Sequence, residues 1–180
     1  MITKPPLSEP KNVLYRIKRG LAGYVSYLAA CEMNEAFSEY VLYEPMLRIL
    51  TARGYVVKCE YKCPKLPKEE SGDFKRLDFV ATGHDQRIAI EAKWAKSKTV
   101  NVKKDYEKLM AFVEEFPGSR GFMCIFGTKR FIENISLTNG NFTEVGDPVF
   151  AEFAVTKYGC RIFESFPPPL RTVSETVSES

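Results

Sequence analysis

From Asn12 onward, apolar residues recur at steps of three and four. Leu14, Ile17, Leu21, Val25 and Leu28 trace one face of an amphipathic helix, which Gly20 and Gly23 weaken slightly. A second helix is expected from Asn34, its cap, to Arg53, with Tyr40, Tyr43, Leu47 and Leu50 facing inward. Pro45 marks a kink or restart in it, and Gly54 a C-terminal stop. The period then changes from helical to alternating. Residues 55–61 read as a strand, and 62–75, rich in Lys, Pro, Glu and Gly, as a loop. Strands follow at 76–81 and 87–94, joined by a turn on Gly83-His84-Asp85-Gln86. A helix is expected at 103–116, with Tyr106, Leu109, Val113 and Phe116 inward and Pro117-Gly118 ending it. The wholly apolar run Gly121–Phe126 has the character of a strand buried on both faces. Residues 128–135 read as a short helix and 138–142 as a turn. Residues 149–155 and 160–165 read as a hairpin around Tyr158-Gly159.

This order predicts an α/β fold with an αβββαβ core. A mixed central sheet is flanked by helices, with an extra N-terminal helix and a C-terminal β-hairpin. The parallel pairing comes through the helix at 103–116, a right-handed crossover. One domain is expected at 12–166, with flexible termini at 1–11 and 167–180. A chain of 180 residues with 44% apolar content is long enough to bury one proper core.

The second strand of the hairpin places Ile88, Ile90, Ala92 and Trp94 on one face and Ala89, Glu91 and Lys93 on the other. On the first strand, Asp78 and Val80 share a face opposite Leu77 and Phe79. With the turn so centred, Asp78 falls directly opposite Glu91. Like charges in that position repel, so the pair calls for a cation, and Lys93 lies two residues along the same face. A Glu-x-Lys strand face is also common as a solvated pair. Here the flanking Ala89 and Val80 make the face look partly covered. Two acids and an amine around a divalent ion suit phosphodiester hydrolysis.

Composition narrows the chemistry. The five cysteines are odd in number and unclustered, which favours a reduced, cytoplasmic setting over a disulfide framework. Cys59-x-x-x-Cys63 has no second pair to complete a zinc site. The single histidine, His84, sits in the expected turn, which argues against His-dependent nucleases and Ser-His-Asp hydrolases. No apolar run is long enough to span a bilayer, and the first residues lack the apolar core of a signal peptide. The net charge of +3 is too small to point to nucleic acid by itself. Its distribution says more: Lys93, Lys96, Lys98, Lys103 and Lys104 follow the hairpin, and Arg16, Lys18 and Arg19 mark the first helix. Basic residues near a carboxylate site suit a polyanion, although a Lys-rich loop is commonly just a solvated surface.

The chain resembles the PD-(D/E)XK, or restriction-endonuclease-like, nuclease superfamily over residues 34–127. Asp78 with twelve intervening residues before Glu91-Ala92-Lys93, the αβββαβ order and an upstream helical Glu carry the resemblance. That Glu lies in Glu44-Pro-Met-Leu-Arg-Ile-Leu50, similar to a Glu-x-x-Leu-x-x-Leu helix of archaeal Holliday-junction resolvases. Leu77 stands where the name-giving proline would be. The resemblance implies that Asp78 and Glu91, with the Ala92 carbonyl, ligate Mg²⁺ or Mn²⁺. Lys93 would orient or activate the attacking water, and Glu44 would support the metal shell, with Glu39 and Glu35 as rivals for that role. Lys96, Lys103 and Lys104 would touch the DNA backbone, and Glu60 stands as a candidate accessory group. A homodimer is expected because cutting both strands calls for two sites, with the first helix and the 149–165 hairpin as candidate contacts. The competing expectation is a catalytically inactive nucleic-acid-binding or protein-interaction module on the same fold.

Overall fold

The structure is a computed structural model and describes residues 10–33, 39–63, 65, 75–152 and 155–167. Helix α1 (Pro10–Ala30) begins two residues before the expected Asn12, with its proline in the first turn, where no intrahelical N–H is needed. Its whole expected stripe, Leu14, Ile17, Leu21, Val25 and Leu28, is buried. Gly20 lets the next helix approach: a Cβ there would stand 2.5 Å from Ile49 Cδ1.

A 3₁₀ turn (Glu39–Leu42) leads into α2 (Tyr43–Thr51). Asn34, the expected cap, lies outside the described residues. The inward face is Leu42, Met46 and Leu50, whereas Tyr40 and Leu47, expected inward, are exposed. The 3₁₀ turn has three residues per turn rather than 3.6, so a helical phase counted through it does not carry into α2. Pro45 falls in the first turn of α2, which makes it a restart. Gly54 ends the helix as expected, with φ +81° and its N–H donating to the Thr51 carbonyl at 2.9 Å.

The strands are β1 (Val56–Lys62), β2 (Arg76–Gly83) and β3 (Gln86–Trp94), then short β4 (Thr99–Asn101). After α3 (Lys103–Glu115) come β5 (Arg120–Thr128), α4 (Lys129–Ile132), β6 (Ser136–Thr138), β7 (Phe142–Glu144), β8 (Val149–Ala151) and β9 (Tyr158–Ser165). Seven strands form a mixed sheet in the order β1-β2-β3-β5-β9-β7, with β8 also pairing with β9. Strands β3 and β5 are parallel, joined across α3, and the other pairings in this sheet are antiparallel. Strands β4 and β6 make a separate parallel pair that the sequence pattern did not reveal.

The C-terminal strands are more than an appended hairpin. Strand β9 lies against β5 inside the main sheet, and Tyr158-Gly159, expected in the turn, sits within β9. Helix α1 packs on β8 and β9, so the two elements named as candidate dimer contacts cover each other.

One core lies between the sheet and α1–α2 and contains Ile17, Leu21, Phe79, Ile88, Ile90 and Phe122. The other lies under α3 and contains Leu77, Val80, Ala89, Leu109, Phe112 and Ile125. In α3 the fully buried positions are Leu109 and Phe112, while Tyr106, Val113 and Phe116 are half-buried at its margins. Among the described residues no helix is long and apolar enough to cross a membrane.

Candidate functional site

The hairpin has the expected register. His84 and Asp85 both take left-handed φ, +53° and +56°, in a two-residue turn closed by Gly83 opposite Gln86. Phe79 then pairs with Ile90, and the β2–β3 ladder stops there. The next rung belongs to Asp78 and Glu91. Side chains replace the ladder: the Asp78 backbone N–H donates to Glu91 Oε1 at 3.3 Å, and the Ala92 N–H donates to Asp78 Oδ2 at 2.8 Å. Two carboxylates are thus brought to the same rung, each held by the other strand's backbone.

Strand β3 keeps its alternation. Ile88, Ile90 and Ala92 face the α1–α2 core, and Ala89 faces the α3 core. Strand β2 does not. Phe79 and Ala81 lie in the α1–α2 core, yet Leu77 lies with Val80 in the α3 core, so the expected grouping of Leu77 with Phe79 is corrected. Its partner β1 switches with it, since Tyr61 pairs with Leu77 and packs on the α3 side. The cause sits on the intervening rung: Glu60 adopts φ +50°, a left-handed backbone that breaks the regular alternation. Both strands turn over at Glu60 and Asp78.

Tyr43, the first residue of α2, packs on Phe79 with ring centroids 4.6 Å apart. Its hydroxyl lies 2.8 Å from both Asp78 Oδ1 and Glu60 Oε1. Burial, followed by the charge of Asp78, pushes the Tyr43 hydroxyl far above its ordinary pKa, so it remains a neutral donor between two acids.

On the other side α3 supplies the counter-charges. Glu91 is only 2% exposed. Burial first, and then the negative charge of Asp78, push its pKa up from the ordinary value, and the Lys108 ammonium beside it opposes them by favouring the ionised form. Lys108 Nζ reaches Glu91 Oε2 at 2.5 Å, the Arg76 carbonyl at 3.0 Å and Asp105 Oδ1 at 3.4 Å. Burial alone would lower the Lys108 pKa, but the charge and hydrogen bond of Glu91 outweigh it and the net shift is upward. Lys93, two residues beyond Glu91, donates to Asp105 Oδ2 at 2.6 Å and remains partly open to solvent.

The structure therefore brings Asp78 and Glu91 to one rung, as the hairpin arithmetic expected, with the Ala92 N–H bonded to Asp78, while Lys93 reaches the cluster through Asp105. It does not bring in Glu44, whose exposed side chain pairs with Arg48 one helical turn along. Residue 44 follows the position that α2 turns toward the sheet, which is Tyr43. Glu35 and the side chain of Glu39 lie outside the described residues. Glu60 joins the cluster through Tyr43. Lys96, Lys103 and Lys104 are exposed, and the latter two directly precede Asp105 in the first turn of α3. Lys18, grouped with the exposed Arg16 and Arg19 by sequence, is buried instead. It donates to the carbonyls of Val145 and Asp147 at 2.7 and 2.5 Å.

Asp105 and Lys108 were not picked out as site residues. A signal for them was present: they fall on the same three- and four-residue steps as Leu109 and Phe112, so the buried stripe of α3 carries two charges.

Among the described residues no group of three or more His, Cys, Asp or Glu side chains is arranged to hold a metal on its own. Mg²⁺ asks for less. It binds through one or two carboxylates and keeps several waters. Asp78 and Glu91 offer two carboxylates, and the Ala92 carbonyl would be the third oxygen donor. The two carboxylates share one rung, with the Asp78 N–H 3.3 Å from Glu91 Oε1, and two acids so placed repel unless a cation lies between or beside them. Oxygen donors of this kind are the type that Mg²⁺ or Mn²⁺ would take. Comparison with family models, curated proteins and solved structures returns no match for this chain, so its site is read from geometry.

Proposed function

We propose that the chain is a divalent-metal-dependent nuclease of the PD-(D/E)XK type that hydrolyses phosphodiester bonds of DNA. The observation that carries this reading is the Asp78–Glu91 rung, with Lys93 two residues further along the same strand. Asp78 and Glu91 would hold Mg²⁺ or Mn²⁺ together with the Ala92 carbonyl. Bound there, the ion would supply Lewis-acid polarisation and a water of lowered pKa.

The chain's own groups have separate tasks. The Ala92 N–H and the Tyr43 hydroxyl fix the Asp78 carboxylate. Asp105 holds the Lys93 ammonium at the margin of the buried cluster, where it can offset charge that grows on a phosphate during attack. Lys103 and Lys104, exposed in the adjoining first turn of α3, supply positive charge for a phosphate backbone at a helix N-terminus, the end that favours anions.

The test presents supercoiled plasmid, single-stranded DNA and four-way-junction DNA to the protein with Mg²⁺, Mn²⁺ or chelator. Cleavage that requires the ion supports the reading. An inert protein whose thermal stability is also indifferent to both ions overturns it.

A further inference from the structure

The contacts of Glu91 raise a question of occupancy. One of its oxygens takes the Asp78 N–H, and the other is held by Lys108 at 2.5 Å. A carboxylate this deeply buried needs a positive partner, and the chain provides one from the middle of α3. The Lys108 ammonium is fixed from three directions, by Glu91, Asp105 and the Arg76 carbonyl. A divalent ion bound through Glu91 would place a second cation against the same carboxylate, and two cations there repel.

We propose that Lys108 is a resident counter-cation that holds Glu91 until a divalent ion binds and then gives it up. The inference rests on the metal-site reading above and adds a form of regulation to it. The acid cluster is stable without metal because α3 carries its own cation, and metal affinity is lowered by the bond that must first be broken. Asp105 is the waiting partner. It already lies 3.4 Å from Lys108 one turn away on the same helix, so the released ammonium keeps a carboxylate within reach. Lys93 shares that carboxylate, and so the same exchange links metal loading to the position of Lys93.

The experiment is Mn²⁺ titration by calorimetry on the full wild-type chain and on Lys108→Met, whose side chain has similar length and no charge. The proposal expects the variant to bind Mn²⁺ about tenfold more tightly or better, the scale of one charge-assisted hydrogen bond no longer displaced. Wild type that binds Mn²⁺, with a variant that binds equally or more weakly, overturns the inference and leaves the metal reading standing. If neither binds, the metal reading itself is overturned and the inference goes with it. Because Lys108→Met leaves Glu91 buried without its partner, a second measurement uses wild type alone. Amine acetylation is followed by mass spectrometry with and without Mn²⁺, in samples where calorimetry registers binding, with exposed Lys103 as the internal reference. Lys108 is expected to label faster once Mn²⁺ is bound. Unchanged or slower labelling overturns the displacement.

Discussion

The backbone N–H of Ala92 donates to Asp78 Oδ2 at 2.8 Å, so one carboxylate of the candidate centre is anchored on the strand that carries the other. The bond takes the place of a ladder contact just where β2 and β3 cease to pair. It fixes the spacing of the two acids through a short backbone link rather than through long side chains. Asp78→Asn keeps an oxygen that can accept this bond but removes the charge. The variant is expected to fold, and to lose both cleavage and the rise in melting temperature that Mn²⁺ gives wild type. Scanning calorimetry with and without ion checks this, and an undiminished ion-induced rise would remove Asp78 from the metal site.

Lys93 is expected to matter for the chemical step and little for folding. Its bond to Asp105 is partly exposed, and such pairs contribute at most about 1 kcal/mol. Lys93→Ala should lower the single-turnover cleavage rate by about 10²-fold or more, the scale of losing one electrostatic stabiliser. A wild-type rate in the variant would remove Lys93 from the mechanism.

Lys103 and Lys104 should behave in the opposite way. Replacing both by Ala is expected to weaken DNA binding and flatten its dependence on salt, with a much smaller effect on the rate at saturating protein. Binding isotherms over a salt series report both quantities. An unchanged salt slope would place the DNA elsewhere on the surface.

Tyr43 separates two acids with a single hydroxyl. Tyr43→Phe keeps the ring on Phe79 but leaves Asp78 and Glu60 without that donor. A loss of about 1.5–3 kcal/mol in urea unfolding is expected, the range for hydrogen bonds to charged groups. The loss should shrink in a Glu60→Gln background, where the two carboxylates no longer repel, and a double-mutant cycle measures the difference. Equal losses in both backgrounds would show that Glu60 and Asp78 do not communicate through Tyr43.

Lys18 gives a pH signature. Burial pulls its pKa below the ordinary value of 10.5. In the window between the lowered value and 10.5 the unfolded chain binds this proton and the folded chain does not, so folding stability rises with pH there. Lys18→Met should remove that rise. Urea unfolding of both proteins from neutral pH up to about 10 is expected to show wild type gaining on the variant as pH increases. Parallel profiles would mean that Lys18 does not titrate differently on folding.

The Asp78–Glu91 rung was legible because the β2–β3 register depends on local features. A two-residue turn marked by Gly83 and a strict period of two on β3 place Asp78 against Glu91 without any knowledge of the rest of the fold. The face switch beside it was hidden. It comes from a left-handed Glu60, and glutamate carries no sequence mark for that backbone as Gly or Asn does. The α2 stripe was misphased at Tyr40 and Leu47 because the preceding 3₁₀ turn resets the helical count. The place of β9 beside β5 is a long-range pairing, and local pattern has no term for it. Three-residue β4 and β6 are too short to show a period.

The most direct test of the metal-dependent nuclease account is single-turnover cleavage of supercoiled plasmid by wild type and Glu91→Gln, each with Mn²⁺ and with chelator. Glu91→Gln retains the side-chain shape and an acceptor for the Asp78 N–H while removing the charge that would hold the ion. The account predicts nicked or linear product from wild type with Mn²⁺, and intact plasmid in the other three reactions. Cleavage by wild type that persists in chelator, or cleavage by Glu91→Gln at the wild-type rate, would contradict it.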